Sequence, residues 1–178
     1  MNKLFLTLTA ILLTAHLSFG QCAYEYNEKD MITGEPYFRT KKFELSKGLS
    51  QKKTYACTGI DGQFSKKGND EYLVLIFKIT NNYGKPVLFI QGKDHLIIKF
   101  TDGEIVSLPM GEAPSITGGV GDVPGHTNIF PYIINENAKT SFKNKSVSSF
   151  RISGTTFNID VEVPLVDLSA KFRDCWVN

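Results

Sequence analysis

The sequence predicts an all-β protein: an antiparallel β-sandwich of about eight strands, immunoglobulin-like or related, with one short internal helix and a short C-terminal helix. Apolar runs rich in β-forming residues alternate with turn residues through much of the chain. Residues 71–108 contain four such runs in succession. No long helical pattern stands between the runs, and parallel strands would need such crossovers. A small barrel is the alternative arrangement of the same strands.

The four runs of residues 71–108 predict a meander of consecutive antiparallel strands joined by three short turns. Its first strand, Tyr72–Ile79, is apolar at nearly every position, which is typical of a central strand covered on both faces. Its last turn, Asp102-Gly103, favours a two-residue type I′ hairpin that would place Phe100 opposite Ile105. We expect this meander to be the core scaffold of the domain.

The flanking regions predict further strands and two short helices. Residues 61–71 are polar and hold two glycines, so we predict a loop there. Asn135 can cap a short helix that ends near Lys145 and has Ala138 and Phe142 on one face. The remaining predicted elements are strands at 37–45, 51–60, 150–152 and 157–163, a strand at 127–135 in which Pro131 favours an edge position or a bulge, and a C-terminal helix at 165–177.

The first 20 residues have the pattern of a secretory signal peptide. A positive start at Lys3 is followed by an apolar segment from Leu4 to Ala15, shorter than the roughly 20 residues that span a bilayer. Removal of residues 1–20 would leave residues 21–178 as a single domain without a transmembrane segment. We therefore expect an exported protein of the periplasm, the cell surface or the extracellular space.

The charge balance argues against some classes of partner. The chain has a formal net charge of +2, and its lysines are dispersed. A near-neutral chain of this kind gives no support for binding to nucleic acid or to an anionic membrane.

Three cysteines follow the predicted signal peptide: Cys22, Cys57 and Cys175. An exported chain can form a disulfide, but the odd count leaves one thiol outside an intramolecular bond. Three pairings are possible. We favour Cys22–Cys175, because it would tie down two termini that are otherwise loose. The cysteine spacing does not indicate a zinc site or a redox motif.

A glycine-rich stretch at residues 110–126 predicts an extended loop, and loops of this length are often functional. Ser115, Asp122 and His126 in this stretch are of the residue types found in Ser–His–acid catalytic sites. Ser115, however, lacks the G-x-S-x-G turn that exposes a nucleophilic serine. We therefore predict that these three residues contact a ligand or a partner and do not catalyse a reaction.

Two residues outside that stretch are also candidates for ligand or partner contact. His95 begins a predicted strand, and Tyr83 stands in a predicted turn, where an exposed ring can stack on a sugar or anchor a protein. We predict no catalytic residue, no metal site and no cofactor. Calcium ligation by the loop carboxylates Asp61, Asp70, Glu71 or Asp122 is the alternative that we keep open, because Ca²⁺ prefers oxygen ligands.

The chain also resembles a known group of proteins. The resemblance is carried by the exported N-terminus, by Cys22 followed by Asn27-Glu28-Lys29-Asp30 and Thr33-Gly34-Glu35, by the central Asp-Gly hairpin, by Phe150-Arg151-Ile152 and by the terminal cysteine. These features look like small secreted β-sandwich proteins of Gram-negative bacteria, which are largely uncharacterised. The resemblance covers most of residues 21–178. It implies a fold and an exported location, and it carries no catalytic residues to this chain.

Together these observations favour a non-enzymatic exported module that binds a protein or a glycan. A long loop on a rigid β scaffold is the usual place for such a site. One alternative is a hydrolase-type enzyme that uses the 110–126 loop with His95 or His126. Another is a structural envelope component that adds an edge strand to a partner. The sequence does not indicate an oligomeric state.

Overall fold

Two antiparallel sheets and two helices make up the described part of the chain. The structure, a computed structural model, describes residues 22–47, 50–52, 55–81, 95–112, 115–118, 125–153, 158–162 and 164–176. The predicted signal peptide at 1–20 and the second strand of the predicted meander, Val87–Ile90, lie outside the described residues. None of the described helices is long and apolar enough to cross a membrane.

Twelve strands and two helices follow one another along the described residues. In chain order they are β1 (Tyr24–Lys29), β2 (Pro36–Thr40), β3 (Phe43–Lys47), β4 (Ser50–Lys52), β5 (Tyr55–Lys67), β6 (Asp70–Asn81), β7 (His95–Phe100), β8 (Ile105–Pro109), β9 (Ser115–Gly118), β10 (Gly125–Ile133), α1 (Glu136–Asn144), β11 (Val147–Ser153), β12 (Asn158–Val161) and α2 (Leu168–Trp176). The predicted count of about eight strands is therefore too low.

The larger sheet has eight strands and the smaller sheet has four. The larger sheet has the hydrogen-bonded order β1-β2-β5-β6-β10-β9, and β3 and β4 pair with other parts of the long strand β5. The smaller sheet has the order β12-β11-β7-β8. Every strand pair among the described residues is antiparallel, which confirms the prediction of a mostly antiparallel β protein.

One main core contains side chains from both sheets and both helices. Phe64 of the larger sheet packs edge-on against Phe172 of α2, with 5.6 Å between ring centroids. Phe100 of the smaller sheet packs edge-on against Phe142 of α1 at 5.7 Å. Phe142 and Phe172 then stack on each other at 5.1 Å. The two helices therefore connect the sheets through one continuous aromatic cluster, and such aromatic pairs contribute beyond their buried area.

Both predicted helices are confirmed, with the buried faces that the sequence indicates. The Asn135 side chain accepts a hydrogen bond from the Ala138 N–H at 2.9 Å, so it is the N-cap of α1. Ala138 and Phe142 are fully buried. Leu168 and Phe172 bury the corresponding face of α2.

The Cys22–Cys175 pairing is confirmed. The two residues form a disulfide with their Cα atoms 4.8 Å apart. The bond joins Cys22, two residues before the start of β1, to the last turn of α2. It therefore fixes one edge strand of the larger sheet to the C-terminal helix.

The central position predicted for Tyr72–Ile79 is confirmed, but the meander is wrong. β6 pairs with β5 on one side and with β10 on the other. Because both edges of β6 are occupied, the next described strand cannot pair with it. β7 and β8 instead form a hairpin in the smaller sheet.

The predicted type I′ turn at Asp102-Gly103 is also wrong, although the hairpin is there. Only Gly103 has a positive φ, +91°, whereas a type I′ turn needs two such residues. The Gly103 N–H donates to the Phe100 carbonyl, and the Phe100 N–H donates to the Glu104 carbonyl. This is the pattern of a three-residue loop with a bulge. As a result, Lys99 and not Phe100 lies opposite Ile105. Phe100 is buried and Ile105 is 64% exposed, so the two belong on opposite faces.

The loop predicted for residues 61–71 is a strand hairpin. β5 continues to Lys67, and β6 starts at Asp70 after the turn Gly68-Asn69. Gly68 has a positive φ of +61° and Asn69 does not, as expected of a type II′ turn. The polar residues of this stretch alternate with inward-facing ones, which is a strand pattern that the two glycines obscure.

The loop predicted for residues 110–126 is also partly strand. It contains β9 and the first residues of β10, which pair with each other. Pro131 lies in β10, which is an interior strand and not an edge. The β9 ladder ends at Ile129, however, and the Pro131 carbonyl accepts the Gly111 N–H at 2.9 Å. The missing N–H of Pro131 therefore falls on the side of the strand where the ladder has already ended.

Candidate ligand-binding groove

The outer face of the larger sheet, which points away from the main core, carries the strongest candidate site. In β5, Gly62 and Phe64 point inward, because Phe64 is fully buried in the main core and Gly62 lies against Leu45. Side chains alternate along a strand. The four polar residues Asp61, Gln63, Ser65 and Lys67 therefore share the outer face.

The floor of this face is apolar. Tyr72, Val74 and Ile76 of β6 form a second buried cluster, separate from the main core. Ile129 and Ile133 of β10 pack against the cluster and are half-buried. An apolar strip in the middle of an outward-facing sheet is a typical floor for a ligand site.

A groove of about 690 Å³ lies above this strip. Its size is within the range of roughly 300–1,000 Å³ that small-molecule sites occupy. Gln63, Ser65 and Lys67 of β5 line one part of it, and Ser115 of β9 lines another. Its charged lining residues carry both signs: Asp30, Glu35, Arg39, Lys42, Lys67 and Glu112.

Tyr37 and Arg39 of β2 line one wall of the groove, and Tyr26 of β1 packs against both of them. The rings of Tyr26 and Tyr37 stack with their centroids 5.7 Å apart. The Arg39 guanidinium lies 5.1 Å from the centroid of the Tyr26 ring, and its Nη2 donates to the Tyr37 Oη at 3.4 Å. These contacts hold Arg39 in place as a half-buried cation.

Gln63 is a buried polar residue with a fixed orientation. Its Nε2 donates to the Thr40 carbonyl at 2.7 Å and to the Glu25 carboxylate at 2.9 Å. Only 3% of Gln63 is exposed. Because both donors are engaged, the amide plane is set by the protein before any ligand arrives.

The segment after β8 closes one end of the groove. Gly111 packs so closely on β6 and β10 that an added Cβ would lie 2.7 Å from Tyr72 Cε1 and 2.6 Å from Ile133 Cγ1. Burial raises the pKa of Tyr72, and the negative charges of Asp70 and Glu112 raise it further. Glu112 therefore lines the groove near Tyr72 and places a negative charge at that end.

A tight turn between β1 and β2 forms another part of the rim. The Asp30 carboxylate accepts the N–H groups of Thr33 at 2.7 Å and Ile32 at 2.9 Å. These bonds lower the pKa of Asp30. Met31 and Ile32 are nonetheless fully exposed, so this ordered turn presents two apolar side chains beside the groove.

The structure describes the side chains of two of the five residues that the sequence suggested as a site, and it places these two on different sheets. Ser115 is exposed and lines the groove. His95 is exposed on β7 of the smaller sheet, where it lies opposite Pro109. The backbone of His126 pairs with Gly118, and its side chain lies outside the described part of the structure. Tyr83 and Asp122 lie outside the described residues altogether.

The groove residues that sequence reasoning missed lie mainly on β2 and β5. Arg39, Gln63 and Ser65 come from stretches without a recognised motif. The alternation of polar and inward-facing residues from Asp61 to Lys67 is the signal that could have identified them.

Two of the carboxylates suggested as calcium ligands form ion pairs with lysines. Asp61 forms an ion pair with Lys78 at 2.8 Å, and Glu71 forms ion pairs with Lys66 at 3.3 Å and Lys139 at 3.0 Å. Across the described residues, no group of three or more His, Cys, Asp and Glu side chains is placed to hold a metal ion.

Comparisons with known proteins add no relative: no protein-family model, no curated protein and no solved structure matches this chain.

Proposed function

We propose that this chain is an exported, non-enzymatic module that binds a glycan in the groove on its larger sheet. The observation that carries the proposal is the composition of the groove. The polar side chains of β5 lie between an apolar floor on β6, formed by Tyr72, Val74 and Ile76, and the Tyr37 ring on β2. A sugar ring has apolar C–H faces and a rim of hydroxyl groups, so it needs both kinds of contact at once.

The shape of the site favours a glycan as the bound partner over a protein that binds through a flat surface. Standard protein interfaces bury roughly 800 Å² on each partner and are built around a central anchor. The groove is concave, and it crosses several neighbouring strands from β2 to β9. A short oligosaccharide lying across the strands would contact the floor, Ser65 and the Tyr37 side in succession.

The fold and the location belong to the same proposal. We infer that the two sheets face each other across the main core as a β-sandwich, because one buried cluster draws on both. The Cys22–Cys175 disulfide supports an exported location, since such bonds persist in oxidising compartments. The resemblance to small secreted proteins of Gram-negative bacteria points to the same location.

A protein partner is the second candidate occupant, and a separate observation favours it. Met31 and Ile32 are fully exposed on the ordered turn at the rim. Exposed apolar side chains on a rigid element are typical anchors for a partner. Replacement of both by serine would weaken a protein complex and leave a glycan bound in the groove unaffected.

The proposal can be tested by titrating the isotope-labelled protein with an oligosaccharide panel while NMR amide shifts are recorded. We expect shifts to cluster on β5, β6 and β10 and not on the smaller sheet. Ser65→Trp places a ring in the groove and should abolish binding. Ser107→Trp is the matched control, because Ser107 is an exposed strand serine on the smaller sheet. Binding that survives Ser65→Trp in a folded variant would refute the groove as the site.

A further inference from the structure

We infer that the groove selects acidic glycans, and that Arg39 binds the carboxylate or sulfate group of the sugar. This inference rests on the proposed glycan function and adds a ligand class to it. It starts from the way Arg39 is held. The guanidinium is half-buried between the Tyr26 ring and the Tyr37 hydroxyl. A guanidinium has five N–H donors, and its one hydrogen bond to Tyr37 leaves most of them for a ligand.

Arg39 has no carboxylate partner within the described part of the chain. No ion pair within 4.0 Å joins Arg39, Lys42 or Lys67 to an acidic residue there. All three cations line the groove. A positioned arginine without an acidic partner is the arrangement that recognises an anion from outside.

Three of the carboxylates near this wall are already engaged with other donors. Glu25 accepts from Gln63 at 2.9 Å. Asp30 accepts two backbone N–H groups of its own turn, and Asp70 accepts from the Tyr72 hydroxyl at 3.5 Å. These bonds hold the nearby negative charges in place and leave Arg39 to an external anion.

The sheet register sets the spacing of the cationic side chains. Arg39 lies opposite Ser65, and Tyr37 lies opposite Lys67. Arg39 and Lys67 are therefore diagonal neighbours on the same face, with their Cα atoms about 7–8 Å apart. Ser65 lies between Arg39 on β2 and Tyr72 on β6. Arg39 and Lys67 therefore place two cations on the β2 side of the groove, where the carboxylates of Asp30 and Glu35 also form part of the lining.

A carboxylate or a sulfate group fits this side better than a neutral hydroxyl. The planar guanidinium fork pairs with two oxygens of such a group at once, and charge-assisted hydrogen bonds are about twice as strong as neutral ones. An acidic sugar would place its anionic group on Arg39 and its ring over the apolar floor. Lys67 lies close enough to bind the next anionic group of the same oligosaccharide.

The test compares a uronic-acid oligosaccharide with the same oligosaccharide after its carboxyl groups have been reduced to alcohols. A sulfated oligosaccharide forms a third arm. Calorimetric titration of the full mature chain should show that reduction of the carboxyl groups weakens binding by about tenfold or more. Arg39→Gln should cause a similar loss for the acidic ligand and almost none for the reduced one. Lys41→Gln is the matched control, because Lys41 is an exposed cation beside Lys42 that does not line the groove.

The outcomes separate this inference from the function on which it rests. If both oligosaccharides bind in the groove with equal affinity and Arg39→Gln changes neither, acidic selection is wrong and glycan binding stands. If none of the three ligands binds, the proposed function itself fails. If Lys41→Gln weakens the acidic ligand as much as Arg39→Gln does, the attraction is general charge and the assignment to Arg39 is wrong. A thermal unfolding curve of Arg39→Gln shows whether the variant is folded.

Discussion

Cys22 is disulfide-bonded to Cys175 across a sequence separation of 153 residues. The bond fixes the start of β1 to the end of α2. The Tyr24 hydroxyl donates a long hydrogen bond to the Cys175 carbonyl at 3.4 Å, and Tyr24 packs edge-on against Phe38. Phe38 in turn packs against Trp176. The β2 wall of the groove is therefore attached to the C-terminal helix through Phe38 and through the neighbouring strand β1.

Reduction of this disulfide should strongly destabilise the fold. The disulfide closes a loop with a sequence separation of 153 residues. Because this lowers the conformational entropy of the unfolded chain, it stabilises the fold by about 5 kcal/mol. We expect dithiothreitol to lower the free energy of unfolding by a similar amount, which appears as a lower midpoint of unfolding in guanidinium chloride. The Cys22→Ser/Cys175→Ser double variant is the control, because its midpoint should not respond to the reductant. An equal response in the double variant would show that a disulfide between the Cys57 residues of two chains stabilises the fold, because Cys57 is the only cysteine left in that variant.

An ion-pair cluster around Lys145 should make stability depend on pH. The Lys145 Nζ lies 2.7 Å from Asp102 Oδ2 and 2.6 Å from Glu104 Oε2. Hydrogen bonds to Lys145 lower the pKa of both carboxyl groups, and hydrogen bonds to these carboxylates raise the pKa of Lys145. The carboxylates stabilise the fold above their unfolded pKa values, and this contribution is lost as the pH falls through their lower folded values. The contribution of Lys145 is lost only as the pH rises through its raised folded pKa.

Lys145→Met should therefore be less stable than the wild type at pH 7, and the difference should begin to shrink as the pH falls below the unfolded carboxyl pKa values of about 4 or rises above the unfolded lysine pKa of about 10.4. Chemical unfolding across this range measures the difference. Lys143→Met removes an equal charge from the same helix without breaking the cluster. If both variants show the same pH dependence, the cluster is not its source.

The sequence predicts the fold class well and the strand partners poorly. Tyr72–Ile79 was identifiable as a central strand because its run is apolar on both faces. Its partner β10 begins at Gly125, and nothing local to either strand indicates the pairing. Pairing between distant strands depends on loop closure and on the packing of both faces. The Asp102-Gly103 turn shows the same limit, because the burial of Phe100 and the exposure of Ile105 set its register.

The candidate groove was hidden in the sequence for a related reason. Asp61 to Lys67 contains an acid, two lysines and two polar residues, a composition that normally indicates a loop. These residues become a strand because Ile60 and Phe64 are buried in the main core beneath them. Arg39 and Tyr37 come from the neighbouring strand β2 and meet Ser65 and Lys67 only through sheet register. A site assembled across strands has no contiguous motif to recognise.

Gly68 and Gly103 should tolerate a side chain about equally poorly. Both have positive φ, so replacement by alanine costs each about 1–2 kcal/mol from backbone strain. Gly103 has open space around it, and a Cβ on Gly68 would meet only the carboxylate end of Glu35, an exposed side chain that can move aside. We therefore expect Gly68→Ala and Gly103→Ala to lower the free energy of unfolding by similar amounts, as measured by chemical unfolding. Adding Glu35→Ala to each variant should recover little of this loss, and a large recovery in the Gly68→Ala background alone would show that Glu35 cannot move aside.

Ser115 should matter through its position on the groove and not through its hydroxyl group. It is exposed at the start of β9 and lies opposite Ile129, whose side chain borders the floor. We expect Ser115→Ala to keep the affinity for an acidic oligosaccharide within a few fold, and Ser115→Trp to reduce it by at least about tenfold, because a bulky ring would obstruct the groove. Calorimetric titration of both variants measures this. A hydrolase that uses Ser115 as its nucleophile would show the opposite order, since Ser115→Ala would then abolish turnover outright. If the protein hydrolyses an oligosaccharide and Ser115→Ala loses this turnover while unfolding at the wild-type temperature, the binding-module proposal is wrong and the protein is an enzyme.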